Sequence, residues 1–163
     1  MNKEDPPIPG RLNVTDEFGY WFSGLFDGEG CFLFKNTRHG VETPKPKIRV
    51  ALRHDDRAVL EYIHQQLGCG KEYRVPPNAK THTKEAREYR VHKISDLAEV
   101  IIPLFEHYPL HTKKAHEFQL WKGLVSIRYR AQGRPVSQEE RQLYAQMNAW
   151  VARSRHGEEP PLE

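Results

Sequence analysis

The sequence predicts an α+β fold with the element order αββαββα and extra C-terminal helices. Helices are expected to cover one face of a four-stranded antiparallel sheet. Three observations carry that reading. Phe18, Trp21, Phe22, Leu25 and Phe26 form one apolar stripe at helical spacing, and short strand-like runs follow directly. Lys47-Ile48-Arg49-Val50-Ala51-Leu52-Arg53 alternates basic with apolar residues, and Arg87 to Lys93 alternates again. Each pair of runs is followed by a helical pattern, Leu60, Ile63, Leu67 after the first and Leu97, Val100, Ile101, Leu104 after the second.

Pro6, Pro7, Pro9 and Gly10 make residues 1–14 a flexible arm. A single domain is expected over 15–152, with a frayed tail over 153–163. Thr15 or Asp16 caps the first helix, which runs from about Asp16 to Asp27 and ends at Gly28-Glu29-Gly30. Cys31 to Lys35 reads as a strand, and Gly40, Pro44 and Pro46 mark a polar turn before the strand Lys47–Arg53. Asp55 or Asp56 opens the second helix, and Gly68 and Gly70 close it. A short strand over Glu72–Val75, a polar loop from Pro76 to Glu85 and the Arg87–Lys93 strand follow. Ser95 or Asp96 opens the third helix, and Tyr108-Pro109-Leu110 breaks it. Thr112 caps a fourth, with Ala115, Phe118, Leu120, Trp121 and Leu124. Ser137-Gln138-Glu139-Glu140 fits a capping box for a fifth helix ending near Val151.

Composition excludes several classes. No stretch approaches the ~18–20 apolar residues of a membrane span. Met1 to Asp5 has no apolar run behind it and does not read as a signal peptide. A non-secreted chain of the cytoplasm or an organellar matrix is expected, with no membrane partner. Two distant cysteines, Cys31 and Cys69, make neither a disulfide framework nor a four-cysteine zinc site. His107, His111 and His116 fit no standard zinc spacing.

The formal charge is only +3, but it is unevenly spread. Lys35 to Arg53 holds six Lys or Arg against the single acid Glu42, and Lys71 to Lys93 holds seven against three. Such segments suit a polyanion binder with one polarised face. A helix-backed sheet with a basic front has the shape that lies in the DNA major groove.

The chemistry concentrates in Phe22-Ser23-Gly24-Leu25-Phe26-Asp27-Gly28-Glu29-Gly30. Gly24 and Gly28 share one helix face, at a cost of ~1 kcal/mol each relative to Ala. A close helix–helix crossing offsets that cost. Glu29 sits just past the helix end, so a second copy of the motif places a second carboxylate nearby. Paired carboxylates facing a phosphodiester suit a divalent ion such as Mg2+. The chain has one such motif, so the partner helix comes from a second, two-fold-related copy.

The nonapeptide, the following strand and the αββαββα order resemble a single-motif LAGLIDADG homing endonuclease. Leu60…Ile63…Leu67-Gly68-Cys69-Gly70-Lys71 and Tyr108-Pro109-Leu110-His111-Thr112-Lys113-Lys114 extend the likeness over about residues 15–130. The resemblance implies a homodimer that cuts one phosphodiester on each strand of a long pseudo-palindromic double-stranded DNA site. It implies Mg2+ as cofactor, with Mn2+ or Ca2+ substituting in binding. Glu29 stands at the family's metal-binding acid and Gly28 at its coordinating carbonyl. Asp27 matches the motif's first acid, read as capping the helix end. Lys114, with Lys113 as reserve, matches the basic residue at the periphery of the active site. The family's water-orienting Gln near the end of the second strand has no counterpart in Leu52-Arg53-His54-Asp55, and Arg53 or His54 is assigned to that place. Trp21, Gly24, Leu25 and Gly28 are expected at the dimer interface. Phe34, Lys35, Asn36, Arg38, Lys47, Arg49, Arg53, Tyr73, Arg74, Arg87 and Tyr89 are expected on the DNA-facing side. The alternative is a non-catalytic relative, an intron RNA maturase or a DNA-binding regulator.

Overall fold

The computed structural model describes residues 5–155. The order is α1 (Asp16–Glu29), β1 (Gly30–Arg38), β2 (Val41–Arg53), a 3-10 turn (His54–Asp56), α2 (Arg57–Leu67), β3 (Lys71–Val75) and β4 (Ala86–Val91). Next come α3 (Ile94–Asp96), a π-helical turn (Leu97–Ile101) and α4 (Ile102–His107), which run on continuously. They are followed by α5 (Lys114–Ala131) and α6 (Gln138–Arg155). The four strands form one antiparallel sheet in the order β1-β2-β4-β3. The expected α+β architecture is therefore present. The predicted tail lies outside the described residues from 156 onward, while 153–155 continue α6.

α1 starts where its cap predicts: the Thr15 hydroxyl accepts the Phe18 amide at 3.2 Å. Its stripe then buries Phe18, Phe22 and Phe26. Phe26 meets Phe105 of α4 at 4.8 Å and Phe32 of β1 at 4.9 Å between ring centroids, and Phe32 meets Trp121 of α5 at 5.0 Å. These rings make the centre of the core. The Trp121 indole N–H donates to the Leu33 carbonyl at 3.2 Å, so α5 is fastened to β1, an outer strand of the sheet. Residues 5–14 have no regular structure, yet Ile8, Leu12 and Val14 pack on the core. Arg11 ties them to the third helical stretch through Asp96 at 2.7 Å and Glu99 at 3.2 Å.

Two local expectations are corrected. The turn placed over Gly40, Pro44 and Pro46 shrinks to His39-Gly40, both at positive φ, and β2 runs through both prolines. The strand tolerates them because β4 pairs β2 only from Ile48 onward, leaving this part of β2 with one open edge, and because a bulge between Leu33 and Lys35 takes Pro46 out of the β1 register. At the start of α6 the Ser137 hydroxyl accepts the Glu140 amide at 3.2 Å, as a cap should. Glu140 does not reach back to complete a capping box. It is fully buried and pairs with Arg128 of α5 at 2.9 Å.

Candidate functional site

The C-terminal tip of α1 is built by glycines of two kinds. At Gly30, which leads into β1, a methyl group would overlap the Phe26 ring, and at Gly19 it would overlap the Tyr108 ring. Both glycines thus have a reason inside the chain. Gly24 and Gly28 have none: a methyl group at either would meet nothing within 4 Å. Both lie on an exposed face of α1 with Trp21, which is 40% exposed and touches Tyr62 of α2 at 5.5 Å. Leu25, placed with them from the sequence, is half-buried and leans on the core.

A reciprocal clasp fixes the tip to the start of α5. Lys114 donates its ammonium to the carbonyls of Phe26 at 3.1 Å and Asp27 at 2.6 Å. A cation at these last carbonyls also opposes the negative end of the helix dipole. In return the Asp27 carboxylate accepts the His111 amide at 2.8 Å, the Thr112 amide at 3.2 Å and the Thr112 hydroxyl at 2.7 Å. Asp27 is therefore structural, as expected, but it holds the beginning of α5 rather than the end of its own helix. Partial burial works to raise its pKa. The Thr112 hydroxyl, the two amides and the Lys114 charge outweigh that and hold it below the usual carboxylate value.

Lys114 stops one residue short of Gly28. Beyond it Glu29 is exposed and, among the described residues, its carboxylate has no hydrogen bond or ion pair. The site residues expected from the sequence are only partly gathered. Glu29, Gly28 and Lys114 share the tip. His54 lies in the 3-10 turn after β2, four residues past Val50, the cross-strand partner of Gly30. Next to the tip, burial pushes the Cys31 thiol up despite Arg49 beside it, so it is not a ready nucleophile.

The pleat divides the sheet cleanly. Phe32, Phe34, Ile48, Val50, Tyr89 and Val91 are buried beneath the helices. The opposite face carries Cys31 and Leu33 of β1, Lys47, Arg49 and Arg53 of β2, Glu88 and Arg90 of β4, and Lys71 and Tyr73 of β3. Four of the expected outward residues are corrected. Phe34 packs against Tyr144 of α6. Tyr89 is fully buried and donates its hydroxyl to the Cys69 carbonyl at 2.6 Å. Arg74 and Arg87 pair across β3 and β4 on Tyr89's side of the pleat, and Arg74 is ion-paired with Glu85. Tyr89 and Val91 are the apolar set of β4, and the core claims that set, so the whole strand is turned by one residue. Glu88 and Arg90 were missed for the same reason, and Lys71 because β3 begins one residue earlier than the expected Glu72. The signal was the apolar alternation Tyr89, Val91, which outranks the charges between. Nearer the hairpin end, Lys35 bonds Glu42 at 2.8 Å, while half-buried Asn36 and exposed Arg38 fall on Phe34's side of the pleat, so their outward placement is corrected as well.

The basic face is crowded. Partial burial together with Arg90, Lys45 and Arg49 lowers the pKa of Lys47. Mutual repulsion of this kind is relieved by a polyanion.

The fold and this site define a helix-backed, single-sheet α+β chain whose first helix ends in a glycine-flanked acid. The LAGLIDADG endonuclease family profile matches residues 22–125. A probable intron-encoded DNA endonuclease 1 of Mycosarcoma maydis is 32% identical over 93 residues, 56% of this chain and 31% of that protein. A probable intron-encoded endonuclease 3 of Neurospora crassa is 32% identical over 121 residues, 71% of this chain and 21% of that protein. The chain thus spans under a third of the length of these curated relatives. Among solved structures, the LAGLIDADG meganuclease I-CpaMI bound to uncleaved DNA superposes with a TM-score of 0.61 at 26% identity, covering 75% of this chain and 39% of that one. The homing endonuclease I-TnaI shares the fold with a TM-score of 0.58 at 21% identity, covering 79% of this chain and 97% of that one. This chain belongs to the LAGLIDADG endonuclease family.

Proposed function

We propose that this chain is a site-specific double-strand DNA endonuclease, of the intron-encoded kind, that acts as a homodimer and hydrolyses one phosphodiester per strand. The carrying observation is the contrast among the α1 glycines. Gly19 and Gly30 are filled against by their own chain, whereas Gly24 and Gly28 lie open, as a face awaiting a second α1 would. Crossing two copies there brings two Glu29 carboxylates and two Gly28 carbonyls together. One tip alone offers too few oxygens for a hard divalent ion; two tips with water satisfy its coordination. Such an ion, Mg2+ in this reading, supplies charge neutralisation at the phosphodiester.

The remaining work falls to the chain. Lys114 anchors the α1 tip and adds positive charge beside it. Lys47, Arg49, Arg53, Lys71 and Arg90 take phosphates and base edges along the sheet, with Tyr73 beside them. Lys35 extends that surface along the β1–β2 hairpin, with Asn36 and Arg38 on the other side of the same ribbon. His54, four residues past the Val50 that pairs with Gly30, is a DNA-contact candidate in this reading rather than a catalytic one.

The test is Glu29→Gln against a site selected by wild-type protein from a randomised duplex library with Mg2+. The variant is expected to bind that site with near-normal affinity and to leave it uncut. Cleavage by the variant at the wild-type rate refutes the assignment. Binding without nicking by the wild type, under Mg2+ or Mn2+, moves the chain to the non-catalytic reading.

A further inference from the structure

Glu88 stands where a polyanion-binding surface should carry no acid. It projects from β4 onto the basic face, yet its side chain is only 9% exposed because two arginines close over it. Arg90 donates its Nε to Glu88 Oε2 at 2.7 Å and its Nη2 to the same oxygen. Arg49 of β2 faces the other oxygen at 3.5 Å from its Nη1. Arg90 also lies over the Tyr73 ring of β3, 4.7 Å from its centroid. Arg49 and Arg90 are direct cross-strand partners, and like charges so placed repel. One carboxylate, diagonal to Arg49 and two residues before Arg90 on the same face of β4, holds both.

The cost of this arrangement falls on phosphate binding. An acid on the face subtracts from the sequence-independent attraction that Lys47 and Lys71 supply. Its gain is in geometry. Glu88 takes the Nε hydrogen and one Nη2 hydrogen of Arg90, and the Tyr73 ring packs against its plane, so the donors left to a ligand are those of the Nη1–Nη2 end. A guanidinium so fixed is suited to the two acceptors of a guanine edge, where Arg is the usual partner. A guanidinium free to swing serves any phosphate equally well.

We propose that Glu88 is a specificity-determining positioning residue: it locks Arg49 and Arg90 as readers of base edges at neighbouring positions of each half-site, exchanging some general DNA affinity for discrimination. The inference rests on the DNA-binding reading above. Arg90 is the principal reader, since it is held on one side and stacked on another; Arg49 is held through a single longer contact.

The experiment selects bound duplexes from one randomised library with the wild type, Glu88→Gln and Arg90→Lys, with Ca2+ present, and sequences each pool. A parallel measurement follows the affinity of each protein for random duplex as salt is raised. For the wild type, two adjacent strongly preferred base pairs per half-site are expected. In Glu88→Gln the preference at those two falls about tenfold, the size of one lost bidentate contact, while other positions hold. Its affinity for random duplex rises severalfold. Arg90→Lys keeps the charge and loses the fork, so it loses preference at one of the two positions only. It also keeps the question open to measurement if Glu88→Gln fails to fold. A preference profile unchanged in the folded variants, or weakened evenly at every position, overturns the proposal and leaves the endonuclease reading standing. A wild type that enriches no sequence overturns both.

Discussion

The open glycine face of α1 makes a prediction with opposite signs in one chain and in two. Take Gly24→Ala. The new methyl group meets nothing within 4 Å in the chain. The substitution also removes the glycine penalty of a helix interior, about 1 kcal/mol. At protein concentrations low enough to keep chains apart, the variant should therefore be more stable, with Tm raised by about 2–4 °C for a chain of this size. Gly19→Ala is the control. It makes the same change of propensity on the same helix but drives a methyl group into the Tyr108 ring. The overpacking costs about 1–3 kcal/mol and should outweigh the gain. In the dimer the Gly24 sign reverses, because a methyl group on each copy separates the crossing helices. Sedimentation velocity across a concentration series, with cleavage of the selected duplex, reads this out. Gly24→Ala should shift the mass toward single chains and lose cutting while gaining Tm; Gly19→Ala should lose Tm without moving the dimer midpoint. A Gly24→Ala protein that remains dimeric and cuts normally would refute the crossing-helix reasoning.

Other outcomes follow from the clasp and the sheet. Lys114→Ala removes an ammonium from two carbonyls and should cost about 1.5–3 kcal/mol in urea unfolding. It should also slow cleavage more than it weakens binding. The Asp27 pKa is held below its ordinary 3.8, so its contribution to stability is complete above that pH and is lost as pH falls through the lower folded value. Asp27→Asn should accordingly flatten the acid limb of the stability profile below that pH; an unchanged limb would discount the clasp. Tyr89→Phe strips a buried hydroxyl from the Cys69 carbonyl and should cost about 1 kcal/mol. It should leave the selected base preferences untouched, since Tyr89 lies in the core.

The sequence exposed the periodic features and hid the ones decided by packing. Phe18, Phe22 and Phe26 declare a helix face, and Ile48 and Val50 declare the buried side of β2, because apolar burial dominates both choices. The face of β4 was harder. Each alternating set there contains an arginine, and Tyr89 is as plausible on a DNA surface as in a core. The deciding contact is with Gly70 and Cys69, which belong to a different strand connection. The π-helical turn at Leu97–Ile101 and the passage of β2 through Pro44 and Pro46 have no local signature. At the site itself, Glu29 and Gly28 were legible from the glycine-flanked motif. The bond from Lys114 to the α1 carbonyls was not, because it joins residues 87 and 88 positions apart.

That separation bears on how the molecule comes into being. The β1–β2 hairpin closes over the two-residue His39-Gly40 turn, a local and rapid event. The acidic tip, by contrast, waits for partners encoded far downstream, so during synthesis the motif emerges early and is set in place late. A nascent chain released before residue 114 would carry the full nonapeptide and both hairpins without a fixed tip. Synthesis past residue 114 and the fixing of the α1 tip are thereby joined in time.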